Sequence, residues 1–146
     1  MQNLLNIVQN KYIYIPFGLW FSIQLFKVIY DLIVTKKFNF KRILGAGGMP
    51  SSHSAVVTSL AVLIGKAEGF NSTTFALSLI FALVVMYDAA GVRRAAGKQA
   101  HLLNKIIETP GLQIGEVQDK LVEVLGHTPT QVFVGAIIGI IAGIIL

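Results

Sequence analysis

Two histidines occupy the same kind of position in this chain. His53 ends the run Gly47-Gly48-Met49-Pro50-Ser51-Ser52, His127 begins the run Thr128-Pro129-Thr130-Gln131, and an apolar stretch follows each. Imidazoles titrate near neutral pH, so two of them can divide a reaction between an attacking group and a proton donor. The residues around them suit an anion. A helix start presents unpaired N–H groups and the positive end of a dipole. Ser51 and Ser52 can cap such a helix or donate hydroxyls to a phosphate, and the cap is the commoner role. Gly45, Gly47 and Gly48 allow a backbone to come close to a ligand. Arg93 and Arg94 offer planar donors that match phosphate oxygens, although arginines at a helix end also serve as topology anchors.

Long apolar elements must position these groups. Of 146 residues 54% are hydrophobic and only 13% charged, against about 25% charged in a soluble domain. Tyr14–Val34 and Ser72–Val92 have the length of membrane spans, the first broken by Lys27 and Asp31, the second with Asp88 near its end. Ser54–Gly65 and Val132–Leu146 are shorter apolar runs. The pattern predicts an all-α integral membrane protein: a bundle of about four transmembrane helices in one domain over 1–146, the second and fourth helices short or sunk between the others. Ala95–Glu108 and Ile114–Leu125 repeat apolar positions at helical spacing, with Pro110 and Gly111 between them. Both are expected as amphipathic helices in the headgroup layer. Met1–Asn10 has no basic start, so no cleavable leader is expected. The absence of cysteine rules out a disulfide framework and a thiolate metal site.

Threading the four spans brings Lys36–Arg42, Pro50–His53, Asp88–Arg94 and Gly126–Pro129 to one side. Lys36, Lys37, Lys41, Arg42, Arg93, Arg94, Lys98, Lys105 and Lys120 lie on that side, and Lys11 and Lys66 on the other. The positive-inside rule makes the first side, with its histidines, cytoplasmic. Lys27 can pair with Asp31 four residues on, yet a lysine within a span is a functional candidate. Asp88 is expected to pair with Arg93 or Arg94. His101 reads as a tolerated polar residue on a surface helix. Gly135, Gly139 and Gly143 form a small-residue ridge, which serves either tight packing within the chain or a homo-oligomer.

Three stretches, GGMPSSH (47–53), YDAAGVRRAAGKQA (87–100) and LGHTPTQVFVG (125–135), resemble the type-2 phosphatidic acid phosphatase superfamily, which includes acid phosphatases and vanadium haloperoxidases. The resemblance is to its small divergent membrane branch and runs from about Lys27 to Gly143. It implies that His127 is a nucleophile forming a phosphohistidine and that His53 is the general acid. It also implies phosphate contacts from Ser51, Ser52, Gly48, Arg93, Arg94 and Lys27. Several positions depart from the family's pattern. Ser52 replaces a glycine, and Gln131 stands where the family has aspartate. Arg93 and Arg94 lie far upstream of His127 instead of beside it, and no Arg-Pro follows Lys27. Lys36, Lys37, Lys41 and Arg42 are candidates for the missing phosphate clamp. An aspartate would orient the histidine and stabilise its cation; Gln131 can orient but brings no charge. That predicts slower turnover, or a compensating carboxylate such as Asp88 or Glu123.

The implied activity is a phosphatase, independent of metal and of any other cofactor, acting on a lipid phosphomonoester or pyrophosphate of isoprenoid or phosphatidate type. The alternative is a carrier or sensor that binds a lipid phosphate without cleaving it. The expected partners are the bilayer and the lipid, not nucleic acid.

Overall fold

The computed structural model describes residues 2–36, 48–109, 121, 123 and 126–146. Among these residues the regular structure is entirely helical: α1 (Gln2–Val8), α2 (Lys11–Thr35), α3 (Ser52–Glu68), α4 (Thr73–Ala90), α5 (Val92–Ile107) and α6 (Pro129–Ile145). Among the described residues two stretches are long and apolar enough to cross a membrane. One is Lys11–Thr35; the other is Thr73–Ile107, in which α4 runs on into α5. The expectation of four spans is therefore met by length in two places. α3 and α6 have 17 residues each, about 25 Å of helix.

α3 is the centre of the bundle and packs against α6, α4 and α2. Its small residues make this possible. Ser54, Ala55, Thr58, Ser59, Ala61 and Gly65 are all buried, so neighbouring backbones can approach from several directions. Burial of α2 and α4 is slight by contrast. Phe17, Phe21, Phe26, Leu77, Phe81 and Val84 point outward and are exposed. Apolar helices with outward-facing aromatics fit a lipid exterior better than a soluble core.

α3 and α6 run parallel. At one end the Ser51 N–H donates to the Gln131 carbonyl (3.1 Å). At the other the Lys66 ammonium donates to the carbonyls of Gly143 (3.1 Å) and Ile144 (2.7 Å), capping the end of α6. Between these ties, a Cβ on Gly135 would collide with the Ser51 backbone, one on Gly139 with Thr58 and the Ala55 carbonyl, and one on Gly143 with Val62. The glycine ridge is thus occupied by α3 of the same chain. Thr58 adds a cross-helix contact, with its hydroxyl 3.1 Å from the Ala136 carbonyl.

The amphipathic helix expected at Ala95–Glu108 is α5. It follows α4 directly through Gly91 and buries Gly97, Ala100 and Asn104, while Leu103 and Ile106 stay exposed. Of the expected Ile114–Leu125 helix only Leu121 and Glu123 are described, and neither is helical: both are held by side chains of α5. The rest of that stretch and residues Lys37, Lys41, Arg42, Gly45, Gly47 and Lys120 lie outside the described residues. The short α1 precedes Asn10, whose side chain caps α2 by accepting from the Tyr12 N–H (3.0 Å).

Candidate active site

The parallel pair places two helix N-termini side by side, and each carries a histidine. Ser51 caps α3: its hydroxyl oxygen accepts from the Ser54 N–H (3.3 Å) and the Ser54 hydroxyl (2.9 Å). Ser51 is fully buried, so the structure uses it as a cap. The cap leaves the N–H groups of Ser52 and His53 without partners among the described residues. Gly48, ahead of the cis Met49–Pro50 bond, has φ +80°; such a backbone favours glycine.

His127 is delivered by a short segment pinned on both sides. Its N–H donates to the Ala89 carbonyl at the end of α4 (2.9 Å). Gly126 lies so close to the start of α5 that a Cβ there would strike the Arg94 backbone. Thr128 then caps α6 in a reciprocal box with Gln131. The outcome is that the His53 and His127 rings stand 6.3 Å apart between centroids, tilted by 59°. A reacting atom about 3–3.5 Å from a nucleophile and a hydrogen bond of about 2.8 Å to an acid fit within a gap of that order.

The capping box also orients the His127 ring. The Thr128 N–H can only donate, so the Gln131 atom it meets at 3.0 Å is the amide oxygen. That same oxygen lies 3.3 Å from His127 Nδ1. An oxygen facing Nδ1 places the hydrogen there and leaves the lone pair on Nε2. Gln131 therefore orients the ring without supplying charge. His127 is 3% exposed. Burial pushes its imidazole below the ordinary value; the bond from Gln131 opposes this, the charges on Lys27 and His53 add to the lowering, and the Gly48 backbone opposes it.

Cations surround the pair. Lys27, on the buried face of α2 at 5% exposure, lies within electrostatic reach of both histidines. Arg93 lies within reach of His53, and its Nε donates to Asp88 Oδ2 (2.6 Å). This pair is about half exposed and contributes little to stability. Arg94 lines a cavity of about 640 Å³ beside His127, which Gly48 and Gln131 also line. Ser52 is buried in the first turn of α3. Gln131, Gly48, Lys27, Arg93 and Arg94 thus come together around the two histidines, whereas the Ser51 hydroxyl faces its own helix. Among the described residues, no three His, Cys, Asp or Glu side chains gather as a metal site.

The cavity wall also includes His101, expected only as a tolerated surface residue, and beside it stands Asn104, which sequence reasoning passed over. His101 Nδ1 donates to Glu123 Oε2 (2.8 Å). Asn104, 4% exposed, fastens the segment ahead of His127. Its amide nitrogen donates to Glu123 Oε1 (2.8 Å) and the Leu121 carbonyl (2.8 Å), and its oxygen accepts from the Leu121 N–H (3.0 Å). An asparagine on the buried face of an amphipathic helix was the available signal. Glu123 is therefore engaged with His101 and Asn104, and Asp88 with Arg93; neither carboxylate bonds to His127 among the described residues.

The sequence profile of the divergent PAP2 family matches residues 8–142. The chain belongs to this family. It is also 41% identical over 134 residues to the uncharacterized membrane protein YuiD of Bacillus subtilis (strain 168), covering 84% of this chain and 85% of that protein. No solved structure matches. Family membership agrees with the membrane character of α2 and α4.

Proposed function

We propose that this divergent PAP2 protein is a lipid-phosphate phosphatase embedded in the membrane by several passes. The observation that carries the reading is the pair of imidazoles 6.3 Å apart at adjacent helix N-termini, with Gln131 holding the Nδ1 hydrogen of one of them. Nε2 of His127 attacks phosphorus, the bond to the ester oxygen breaks, and protonated His53 gives its proton to the leaving alkoxide. Water then attacks the phosphohistidine, its proton passes to His53, and the P–N bond breaks to release inorganic phosphate. Lys27, Arg93 and Arg94 neutralise the phosphoryl oxygens. The Ser52 and His53 N–H groups at the start of α3 support the developing charge. No step calls for a metal. The basic residues at this end of the bundle favour the cytoplasmic side.

The substrate is a phosphomonoester or pyrophosphate on an apolar tail, of isoprenoid or phosphatidate type. A site at the end of outward-facing apolar helices suits a polar head and a buried chain. A second reading is a carrier or sensor that binds such a lipid without cleaving it. The uncharged Gln131 favours that reading, since it cannot stabilise a histidine cation as a carboxylate does.

Phosphate release from the purified protein over a panel of lipid phosphates, with and without chelator, separates the two. Turnover that survives chelation and is lost in His127→Ala is expected. Full activity in His127→Ala would remove the nucleophile assignment, and binding without turnover by the native chain would establish the carrier. Lys41→Cys labelled from outside intact cells by an impermeant reagent would overturn the cytoplasmic placement.

A further inference from the structure

The cavity beside His127 is larger than one phosphoryl group requires. Its α5 wall carries Arg94, Lys98 and His101, at intervals of four and then three residues. That spacing puts them on one helical face, over about 10 Å of helix axis. Among the described residues neither Arg94 nor Lys98 makes an ion pair or a hydrogen bond. Like charges four apart on a helix repel. One carboxylate, Glu123, also lines the cavity, with its oxygens held by His101 and Asn104 at 2.8 Å each. An anion lying between Arg94 and Lys98 would neutralise both and face the His101 ring.

We propose that Lys98 and His101 form a second oxyanion subsite, next to the phosphoryl group held between His127 and His53. Its ligand is a phosphate-class group: the second phosphate of a headgroup, or inorganic phosphate on its way out. The identity of the neighbouring group rests on the phosphatase reading; binding at the subsite does not. Arg94 stands between the two positions and serves both, while Lys98 and His101 belong to the second.

Calorimetric titration of the purified full chain in detergent, with inorganic phosphate and with methylenediphosphonate, tests this without turnover. Methylenediphosphonate is expected to bind at least about tenfold more tightly than phosphate. Lys98→Ala should bring that ratio close to one, and Lys98→Arg should restore it. Lys105→Ala, which removes the next lysine along α5, should leave it unchanged. Equal affinities in the native chain, a ratio unaltered by Lys98→Ala, or an equal effect of Lys105→Ala would each overturn the subsite. Kinetics then distinguish the sources. A lowered diphosphate-to-monophosphate ratio of kcat/KM in Lys98→Ala assigns the group to the substrate. A raised inhibition constant for inorganic phosphate assigns it to the product. A Lys98→Ala protein that changes neither counts against the proposal. Native protein that turns over no lipid phosphate would defeat the phosphatase reading alone, because the binding ratio is read independently.

Discussion

Replacing Gln131 with glutamate isolates the one chemical feature that this site lacks. The change is isosteric. A carboxylate oxygen can still accept from the Thr128 N–H and from His127 Nδ1, which Gln131 meets at 3.0 Å and 3.3 Å. Only charge is added. A full charge 3.3 Å away would interact by about 5 kcal/mol at an effective dielectric of about 20. Gln131 is only half-buried, so solvent screening cuts this, and a hydrogen bond to a charged group contributes about 1.5–3 kcal/mol net. Taking the lower part of that range, Gln131→Glu should raise kcat roughly 10- to 30-fold and raise the His127 pKa. The sign matters for the assay. In the native chain burial holds the His127 imidazole below its ordinary value, which favours the neutral ring that the proposed attack requires. The variant shifts protonation upward, so the acid limb of kcat/KM moves toward higher pH. Rates are therefore best compared near pH 8, where both proteins carry a neutral ring. NMR titration of His127 gives the pKa shift without any substrate. A variant with unchanged titration and unchanged rate would refute the claim that Gln131 orients the reacting histidine.

Three further substitutions probe the scaffold. Gly139→Val forces a side chain against Thr58 and the Ala55 backbone; it should cost about 1–3 kcal/mol, seen as a lower melting temperature in detergent, and an unchanged melt would mean that α3 and α6 are not so close. Asn104→Leu removes three hydrogen bonds to the segment ahead of His127 and should lower kcat about 10- to 100-fold through misplacement of the ring, with KM little changed. Retained kcat would show that this clamp does not position His127. Ser51→Ala should cost about 1 kcal/mol as a lost N-cap while keeping kcat within a few-fold; a large kcat loss at unchanged stability would instead assign its hydroxyl to the phosphate.

How much of this was legible in the sequence depended on whether the signal was local. α2 and α4 follow from unbroken apolar runs, because hydropathy over about 20 residues is a property of the segment itself. The start of α6 was legible for the same reason: Thr128, Pro129 and Gln131 form a capping box within four residues. Among the described residues α3 and α6 stop at 17 residues each, and the apolar composition of a segment does not fix where its helix ends. The glycine ridge was ambiguous in principle. Spacing of four makes one face of α6 flat, but the opposing surface, Ser51 through Val62, is set by the fold. His101, Asn104 and Glu123 were least legible, since they meet only when a segment some twenty residues on folds back over α5.

The glycine ridge and the site are one device. Helix dipoles act over about a turn, so two N-termini assist the same anion only if their axes are close. Here Gly135 comes within contact of the Ser51 backbone, and the Ser51 N–H bonds to the Gln131 carbonyl (3.1 Å). Any side chain at position 135 would part the first turns of α3 and α6, and with them His53 and His127. The residue that brings the imidazoles together is also the one whose side chain fixes the ring: the Gln131 carbonyl holds α3, while its amide oxygen holds His127 Nδ1. A shorter aspartate at this position could keep the first contact, but it would have to reach farther for the second. A glutamine that closes the capping box and steers the ring at once is therefore a coherent solution, with charge being the one quality it gives up.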